Sequence, residues 1–539
     1  MCAKVFRGLF KTIYHLVEKF NLLLRIKNIV NLAYTRWGLD DNEKQFIKAV
    51  AKLPLNADAT IKSDSANVLL QMPNDYFYLS LFYFTTQQLE LSNKKIIGLW
   101  HQNVMSAPRE ENLQWLRQIL RYLLSKMDKS KWRKLYATIK ILSCSTLEVG
   151  FWQSLKHQQQ ANMIWQQLTS KQDVLDLVLN GTHCGDLIYD TYLRYRVQPT
   201  VDISDYYLRT IIAKALNAQY AIRKLISEES FDYFFTSYSS YIQHGIPVRE
   251  ALLANIKVYS AGNLSQHYKQ LSKEDTLHVA AHWNYKQQFL NISDKARALQ
   301  QAQVQLENRF GGGIDKATMY MKISAYSNNQ AQLPVGVDGV VFLHDFFDSP
   351  HCYRDMLFAD FWEWVNFTLA IIEENKLNIA VKPHPNQLPE SSAVVEELKQ
   401  KYPTVQWLDS SLSNKVIFAS GIKCGISVYG TILHELAYHG IPALSAGDHP
   451  HSAFDIVIEP QTIQEYKQYL LNYKNLPITT NIKTEILKFY YMHNINCKED
   501  LPIDWSGMDM RSLEQNKSIA LIKFMKMYKP LSEYSASIG

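Results

Sequence analysis

The chain has few cysteines, and none of them forms a recognisable pair. The six cysteines are scattered through 539 residues without a Cys-x-x-Cys spacing: Cys2, Cys144, Cys184, Cys352, Cys424 and Cys497. This scatter supports neither a disulfide framework nor a zinc site. Dispersed single cysteines are typical of proteins in a reducing compartment, so we predict a cytoplasmic location.

Long apolar runs and a large charge of one sign are also missing. No uninterrupted apolar run reaches about 18 residues, the length that a transmembrane helix needs, so no membrane span is predicted. Lys and Arg number 57 against 51 Asp and Glu, which gives a formal net charge of +6. That charge is modest for this length and argues against a nucleic-acid binder. The composition, 47% hydrophobic and 20% charged, is that of a globular protein.

The first 37 residues differ from the rest of the chain. They hold seven basic residues against a single acid, Glu18, and their apolar residues recur at helical spacing. One interpretation is a helix that lies on an anionic membrane surface, and the other is an amphipathic helix packed on the first domain. Charges interrupt every candidate apolar core, so a secretory signal is not predicted.

Two stretches follow the same plan of strand, small-residue turn, helix and strand. In the C-terminal half, the strand Ile422–Ser427 precedes a Tyr-Gly-Thr turn, a helix and Gly440-Ile441-Pro442. In the N-terminal half, the strand Phe231–Phe235 precedes a Ser-Ser turn, then Gly245-Ile246-Pro247 directly before a helix. Further strands predicted at Lys95–Trp100, Gly339–Leu343 and Ile379–Lys382 alternate with helices, one of them over 108–126, which is typical of parallel sheets. The apolar segment 173–180, which leads through a glycine turn to Asp186, is also strand-like.

These patterns predict an α/β fold with two doubly wound, Rossmann-type domains that face a central cleft. A chain of this length is expected to form two domains with appendages. We predict a basic amphipathic segment over 1–37, an N-terminal Rossmann-like domain over 38–308, a C-terminal one over 309–475, and a helical segment over 476–539 that packs back on the N-terminal domain. A polar helix over 285–310 ends at three glycines, a predicted hinge.

The loop Lys382-Pro383-His384-Pro385-Asn386 directly follows a predicted strand. The carboxyl end of a strand directs the next side chains into the ligand crevice, and the two prolines keep the loop stiff. His384 is then placed to donate to a phosphate oxygen, while Lys382 adds positive charge. The alternative is a proline turn that contains a structural histidine.

A second motif begins about 40 residues later, where Ser427, Gly430 and Thr431 precede or open a helix. Small residues at a helix N terminus leave backbone N–H groups free for an anion. The alternative for the two hydroxyls is ordinary N-capping. One turn deeper, Glu435 is placed to accept hydrogen bonds from ribose hydroxyls, or it lies on a solvated helix face.

The His-Pro loop, combined with this helix and with Glu435 five residues before Gly440, resembles the donor half of GT-B glycosyltransferases. Within these, the chain is most similar to the bacterial capsule and surface-polysaccharide group, which includes transferases using CMP-activated 3-deoxy-octulosonate or sialic acid. It is distantly similar to CDP-glycerol glycerophosphotransferases. The resemblance covers roughly 170–460. The chain departs from transferases with a second upstream glutamate, because Ser427 and Thr431 occupy that stretch.

The resemblance implies a metal-independent transfer, without a cofactor, from a nucleotide-sugar donor in the C-terminal domain to a glycan or glycolipid acceptor in the N-terminal domain. His384 would stabilise the leaving phosphate. A general base is expected from the N-terminal domain. Asp186 is predicted for this role, with Asp190 in reserve, although a helix N-cap is the alternative for Asp186.

Four further residues are predicted as acceptor-binding or secondary positions: His244, His344, Asp345 and Asp348. His244 precedes the N-terminal Gly-Ile-Pro, with a packed histidine as the alternative. The other three lie in the loop after Gly339–Leu343, where contacts to substrate hydroxyls are favoured over a metal site because aromatics fill the gap.

Three other functions stay open at this point. A CDP-glycerol-type polyol-phosphate transferase would use the same His-Pro loop. A nucleotide-sugar 2-epimerase would need several carboxylates around one sugar and no acceptor site. A non-catalytic polysaccharide-assembly protein would bind none of the common donor nucleotides.

We expect deletion of residues 1–37 to release the protein from anionic membranes if this segment is an anchor, because its basic and apolar residues act together. Sedimentation with vesicles containing anionic lipid measures the change. A matched control replaces Lys4, Arg7 and Lys11 by Gln and should weaken binding to anionic vesicles alone. Unchanged partitioning of the deletion variant contradicts the anchor.

Overall fold

The fold is known from a computed structural model, which describes the residues 38–53, 67–91, 94–100, 131–261, 267–279, 281–313, 315, 324–326, 332–353, 355–478, 482–496, 500–513 and 517–535. The basic segment over 1–37 and a helix predicted over 108–126 lie outside the described residues. No helix in these ranges is long and apolar enough to cross a membrane.

Most strands belong to two largely parallel sheets. The strands are β1 Asn67–Gln71, β2 Lys95–Trp100, β3 Ser143–Thr146, β4 Val178–Leu179, β5 Thr182–His183, β6 Tyr233–Thr236, β7 Lys257–Ser260, β8 Lys269–Leu271, β9 Gly339–Phe342, β10 Ile379–Lys382, β11 Gln406–Trp407, β12 Cys424–Ser427 and β13 Ala443–Ser445.

Helices cover both faces of the sheets. Within the described ranges they are α1 Asp41–Lys52, α2 Tyr76–Gln88, α3 Phe151–Trp165, α4 Lys171–Leu175, α5 Gly185–Tyr192, α6 Tyr206–Glu228, α7 Ile242–Leu253, α8 Tyr285–Leu290, α9 Lys295–Phe310, α10 Phe361–Glu374, α11 Pro389–Lys401, α12 Asn414–Ala419, α13 Thr431–Tyr438, α14 Ile463–Leu471, α15 Ile482–Tyr490, α16 Ile519–Met527 and α17 Lys529–Ser535.

The two sheets share one winding pattern. The first has the order β3-β2-β1-β6-β7-β8, and the second has the order β11-β10-β9-β12-β13. All neighbours in them run parallel except β7 and β8. In each sheet the chain moves outward from a central strand and then returns to that strand's other side. The reversal lies between β1 and β6 in the first sheet and between β9 and β12 in the second. The predicted doubly wound α/β architecture is therefore confirmed, and we name the two parts the first lobe and the second lobe.

In the central strands, the side chains of alternate residues point to opposite faces of the sheet and pack into different layers of the core, because a strand has a period of two residues. In the first lobe, Leu69 packs with α5, α6 and α7, whereas Val68 and Leu70 face the side that holds α2. In the second lobe, Val341 and Val381 pack toward α10 and α14. Their neighbours Val340 and Ala380 pack toward α13. Both sheets are covered on two faces, so their strands read as continuous apolar runs.

The chain's last helices return to the first lobe. Phe524 on α16 is fully buried in the same core cluster as Val68. Its ring centroid lies 5.9 Å from that of Tyr83 and 6.3 Å from that of Phe46. The C-terminal helix crossing back onto the first lobe, as predicted, thus closes one face of the first sheet.

Helices α8, α9 and α15 form a separate layer. Their buried residues cluster with Ala437 and Phe454, both of the second lobe. The predicted boundary at 308 would assign α8 and α9 to the first domain. The packing favours a boundary before Tyr285 instead, because the apolar stripe of α9 (Ala298, Ala302 and Leu306) faces this layer. The domain limits themselves stay predictions.

Three local predictions are wrong. The segment 173–180 is not a strand of the first sheet, because α4 and the β4–β5 hairpin occupy it. The helix over 285–310 is broken into α8 and α9, where Asp294 accepts from Arg297 N–H and starts the second helix. Gly245-Ile246-Pro247 lies inside α7, whereas Gly440-Ile441-Pro442 follows α13, so the two copies are not equivalent.

We expect Phe524→Ala to lower the free energy of unfolding of the first lobe by about 3–5 kcal/mol, because it leaves a cavity in a closed core. Denaturant unfolding of the full chain measures this. Ile519→Ala on the same helix, where the side chain is 41% exposed, is the matched control. Equal small losses for both variants would contradict the packing of α16 on the first lobe.

Candidate active site

The carboxyl ends of three neighbouring strands of the second sheet bring together the His-Pro loop, the start of α13 and the loop after β9. His344 follows β9, His384 follows β10 and Tyr429 follows β12. The ring centroid of His344 lies 6.3 Å from that of His384 and 5.1 Å from that of Tyr429. The two sequence motifs therefore meet at one edge of the sheet, at the point where the strand order reverses. Ligands of open α/β sheets bind at this place.

Lys382 is the last residue of β10 and is 2% exposed. It pairs in register with Phe342, which packs on the sheet face that holds α13. Its ammonium makes no hydrogen bond or ion pair with any described residue; Asp409 and Glu435 act on it only at longer range. Burial lowers the pKa of Lys382 to about 8. A buried cation without a counter-ion is costly, and an anionic ligand would relieve that cost.

The His-Pro loop fixes the tautomer of His384. The backbone N–H of Asn386 donates to Nδ1 of His384 at 3.2 Å. Nδ1 is therefore the acceptor nitrogen, and Nε2 carries the proton. Burial, reinforced by His344 and Lys382, lowers the pKa of His384 to about 4. The imidazole is neutral at physiological pH and presents one N–H donor, which makes no hydrogen bond to a described residue. Pro383 is buried and Pro385 half-buried beside it.

The N terminus of α13 is open. Its N-cap, Gly430, has φ 136°, a left-handed value that favours glycine, and no described side chain caps the helix. The hydroxyl of Thr431 accepts from an Nη of Arg309 at 3.3 Å. Ser427 is placed differently from its predicted phosphate-binding role. Its hydroxyl lies 3.0 Å from the carbonyl oxygen of Phe342 and 3.1 Å from that of Tyr429, to which it donates.

Glu435 lies one turn into α13 and is 1% exposed, so it is not on a solvated face. Arg309 on α9 donates to Oε1 from Nε at 2.7 Å and from Nη2 at 2.6 Å. The hydroxyl of Tyr326 donates to Oε2 at 2.6 Å. Both carboxylate oxygens of Glu435 accept hydrogen bonds, and these bonds hold α13 against Arg309 of α9 and against Tyr326. The predicted contact of Glu435 to ribose stays a prediction.

The two predicted aspartates of the loop after β9 make different contacts. The Asp345 carboxylate accepts from the backbone N–H groups of Phe347 and Leu388 and from the hydroxyl of Ser391. It ties this loop to the start of α11 and so positions the His-Pro loop between them. Asp348 accepts from the backbone N–H of Ser349 at 3.0 Å. The predicted substrate contacts of Asp345 and Asp348 are not tested by these bonds.

Asp186 is engaged in an ion pair. Both of its oxygens accept from Arg249 of α7, at 2.7 and 2.5 Å. Burial acts to raise the pKa of Asp186, but Arg249 and His183 outweigh it and lower that pKa strongly. A carboxylate of such low basicity is a poor general base. The helix–hairpin before Asp186, which replaces the predicted sheet strand, explains why it faces Arg249.

Asp190, one turn further along α5, is 2% exposed and faces the second lobe. Its Oδ1 lies 2.6 Å from Nδ1 of His351, which follows β9. Beside it the hydroxyl of Tyr189 donates to Asp360 at 2.5 Å, a second contact between the lobes. Asp190, the reserve candidate for the general base, thus lies at the cleft. The sequence did not indicate that His351 would be its partner.

His244 lies at the reversal point of the first sheet. Nε2 of Gln71, the last residue of β1, is 2.9 Å from its Nδ1. Its ring centroid is 5.9 Å from that of Tyr238, which stacks on Tyr241 at 6.0 Å. Tyr241 has φ 62°, a strained value for a bulky residue. These aromatic side chains line the first lobe's side of the cleft.

Arg309, Tyr326 and His351 were missed by the sequence reasoning. Each acts through a partner more than 100 positions away, and none belongs to a local motif. Within the described ranges, no three His, Cys, Asp or Glu side chains gather to hold a metal ion. Metal-independent transfer stays a prediction.

No protein-family model matches the chain, and comparison of its sequence with curated proteins gives no significant match. Among solved structures it is similar to the glycotransferase of kitacinnamycin (8% identity, 80% of this chain and 96% of that one, TM-score 0.23). It is also similar to the Methanocaldococcus jannaschii UDP-GlcNAc 2-epimerase (9%, 78% and 97%, TM-score 0.24) and to the spinosyn rhamnosyltransferase (9%, 87% and 99%, TM-score 0.22). TM-scores this low carry no argument about function.

We expect Lys382→Met to raise the free energy of unfolding at pH 7, because it removes a buried unpaired charge, and to abolish stabilisation by pyrophosphate. The folded pKa of Lys382, about 8, lies below the usual 10.5. Between these two pH values the unfolded wild type binds more protons than the folded wild type. The free energy of unfolding of the wild type therefore rises with pH relative to that of Lys382→Met.

Thermal and denaturant unfolding from pH 7 to 10.5 measures both effects. Lys415→Met, at an exposed lysine of the same lobe, is the matched control and should change neither. A Lys382→Met chain that is less stable than the wild type, or that still responds to pyrophosphate, contradicts the anion site.

Proposed function

We propose that the chain is a glycosyltransferase that moves a sugar from a nucleotide-activated donor to a glycan acceptor. The observation that carries this proposal is the buried ammonium of Lys382, unpaired among the described residues, at the same sheet edge as the open N terminus of α13. A helix N terminus attracts anions through its free N–H groups and its dipole. A lysine without a partner supplies the net charge that a phosphate requires.

The donor phosphate is proposed to lie between the His-Pro loop and α13. The Nε2–H of His384 and the ammonium of Lys382 then face it from β10, and the backbone N–H groups after Gly430 face it from β12. The Glu435–Arg309 pair holds α13 in place from behind. His344 and Tyr429 lie between the two strands and close the site laterally.

The chemistry follows from the charge that develops on the leaving phosphate. When the bond from the sugar to the phosphate breaks, the bridging oxygen takes the electron pair and becomes more negative. Donors that are already oriented toward this oxygen stabilise the transition state more than the ground state. Neutral His384 offers a fixed N–H, and Lys382 offers a full charge in a site of low polarity, where both interactions are strengthened.

The acceptor is proposed to be a growing surface glycan of the capsule or lipopolysaccharide type, held by the first lobe at the cytoplasmic face of the membrane. The motif resemblance supports this part, as do the aromatic side chains of Tyr238 and Tyr241 on the cleft. Tyr rings give large amphipathic contact surfaces at low entropic cost. The basic segment over 1–37 is the proposed peripheral membrane contact.

A thermal-shift panel of CMP, CDP, UDP and GDP tests the proposal first. One nucleotide should raise the melting temperature through preferential binding to the folded chain. Product analysis with the corresponding sugar donor then separates sugar transfer from polyol-phosphate transfer and from 2-epimerisation. Stabilisation by none of the four favours a non-catalytic assembly protein.

We expect His384→Ala to lower kcat by about 10²- to 10³-fold, the usual effect of removing one preorganised donor. The melting temperature should change by only a few degrees, because His384 is half-buried in a loop. His439→Ala, at the opposite end of α13 and exposed, is the control and should keep full activity. A large loss of stability in His384→Ala would show that this histidine is structural.

A further inference from the structure

One ionisable pair is shared between the two lobes. Asp190 comes from α5 of the first lobe, and His351 comes from the loop after β9 of the second lobe. The Nδ1 and Oδ1 atoms are 2.6 Å apart, with 17% of the His351 side chain and 3% of the Asp190 side chain exposed. The two residues are 161 positions apart in the chain, so only the closed arrangement of the lobes brings them together.

The contact determines which nitrogen of His351 is free. Nδ1 donates its proton to the carboxylate of Asp190, which leaves the lone pair on Nε2. Nε2 makes no hydrogen bond to a described residue, and it is not among the buried side-chain atoms that lack a partner. An imidazole oriented by a carboxylate on one nitrogen, with the other nitrogen open, is the arrangement of a general base.

The pair lies next to the donor site. Ser349 is two residues before His351, and its carbonyl oxygen lies 3.5 Å from the hydroxyl of Tyr429. The Tyr429 ring also contacts His344, whose ring neighbours His384. One tyrosine thus borders both the proposed phosphate site and the loop that carries His351. On the side of the first lobe, Tyr241 lies close enough to this loop for Asp348 and Ser349 to act on its pKa.

We propose that His351, positioned by Asp190 across the cleft, accepts the proton from the acceptor hydroxyl during sugar transfer. The assignment rests on the proposed function and replaces Asp186 as the base. The acceptor oxygen forms a bond to the anomeric carbon as its proton moves to Nε2 of His351. The bond from that carbon to the phosphate oxygen breaks, and its electron pair goes to the phosphate. The imidazolium then returns its proton to solvent. Attack from the side opposite the phosphate inverts the anomeric configuration.

The charged surroundings support this role. Burial opposes a charge on His351, but Asp190, with Asp186 and Asp360 behind it, leaves the pKa of His351 above its usual value. Burial raises the pKa of Asp190 to about 6, although His351 acts to lower it. Arg249 on α7 compensates Asp186, and Lys171 on α4 lies near Asp360. Asp190 thus favours the protonated form of His351, which helps the imidazole to take up the proton of an acceptor hydroxyl.

A purely structural contact between the lobes would behave differently, and the chain contains a control for it. Tyr189 immediately precedes Asp190 and hydrogen-bonds across the same cleft to Asp360. Tyr189→Phe removes this hydrogen bond between the lobes but keeps the aromatic ring, whose centroid lies 5.2 Å from that of His351, and leaves the Asp190–His351 contact in place. If the pair only held the lobes together, Asp190→Asn and Tyr189→Phe would have similar effects.

The test uses the full chain, the nucleotide that stabilises it most, the matching sugar donor and a panel of methyl glycosides as acceptors. His351→Gln should lower kcat by about 10²- to 10⁴-fold and leave the nucleotide Kd unchanged. Asp190→Asn should lower kcat and move the acidic limb of the kcat/KM profile to lower pH, because His351 loses the carboxylate that raises its pKa. Tyr189→Phe should leave that limb in place.

The outcomes are distinguishable. A His351→Gln chain with wild-type kcat, or an Asp190→Asn chain with an unmoved acidic limb, overturns the base assignment while the proposed function stands. Should His351→Gln fail to fold, the pH profile of Asp190→Asn decides alone. A wild-type chain that binds none of the four nucleotides and consumes no donor overturns the proposed function, and this inference with it.

Discussion

A buried positive charge at the end of β10, unpaired among the residues that the structure describes, is the constraint on which the proposed site depends. Lys382 is 2% exposed on a sheet face otherwise lined by Phe342 and Ala380. The carboxylate of Glu435 is satisfied by Arg309 and Tyr326 and therefore does not neutralise it. The winding of the second sheet brings the carboxyl ends of β10 and β12, and with them His384 and the open N terminus of α13, to the same sheet edge as Lys382. Together these groups form the proposed site for an anion, and within the described ranges no carboxylate hydrogen-bonds to Lys382.

The two lobes supply different parts of the proposed site. In the proposed site, the second lobe contributes the residues for the anion and, through the loop after β9, the imidazole of His351. The first lobe contributes the carboxylate of Asp190 and the aromatic side chains of Tyr238 and Tyr241.

Much of the fold was readable from the sequence, because buried parallel strands leave short apolar runs with polar residues at their carboxyl ends. β2, β9, β10 and β12 were predicted close to their observed bounds for this reason. The segment 173–180 was misread, because its apolar alternation suits a strand as well as the short helix and hairpin that form there. Length and periodicity alone do not separate these structures.

The site was predictable only where its chemistry is local. The His-Pro loop and the Gly430–Thr431 helix start carry their own signals, and neighbouring strands bring them together. The ion pairs carry no such local signal. Asp186 pairs with Arg249, 63 positions away in the chain, and Glu435 pairs with Arg309, 126 positions away. Such partners decide whether a carboxylate can act as a general base or only holds two elements together. No spacing in the sequence indicates which residues these partners are.

The most direct measurement is a crystal structure of the chain with the nucleotide that stabilises it. The account predicts a phosphate oxygen within hydrogen-bonding distance of both the ammonium of Lys382 and Nε2 of His384, with the backbone after Gly430 on the opposite side. A nucleotide bound at the first lobe, or a phosphate that leaves Lys382 unpaired, would contradict it.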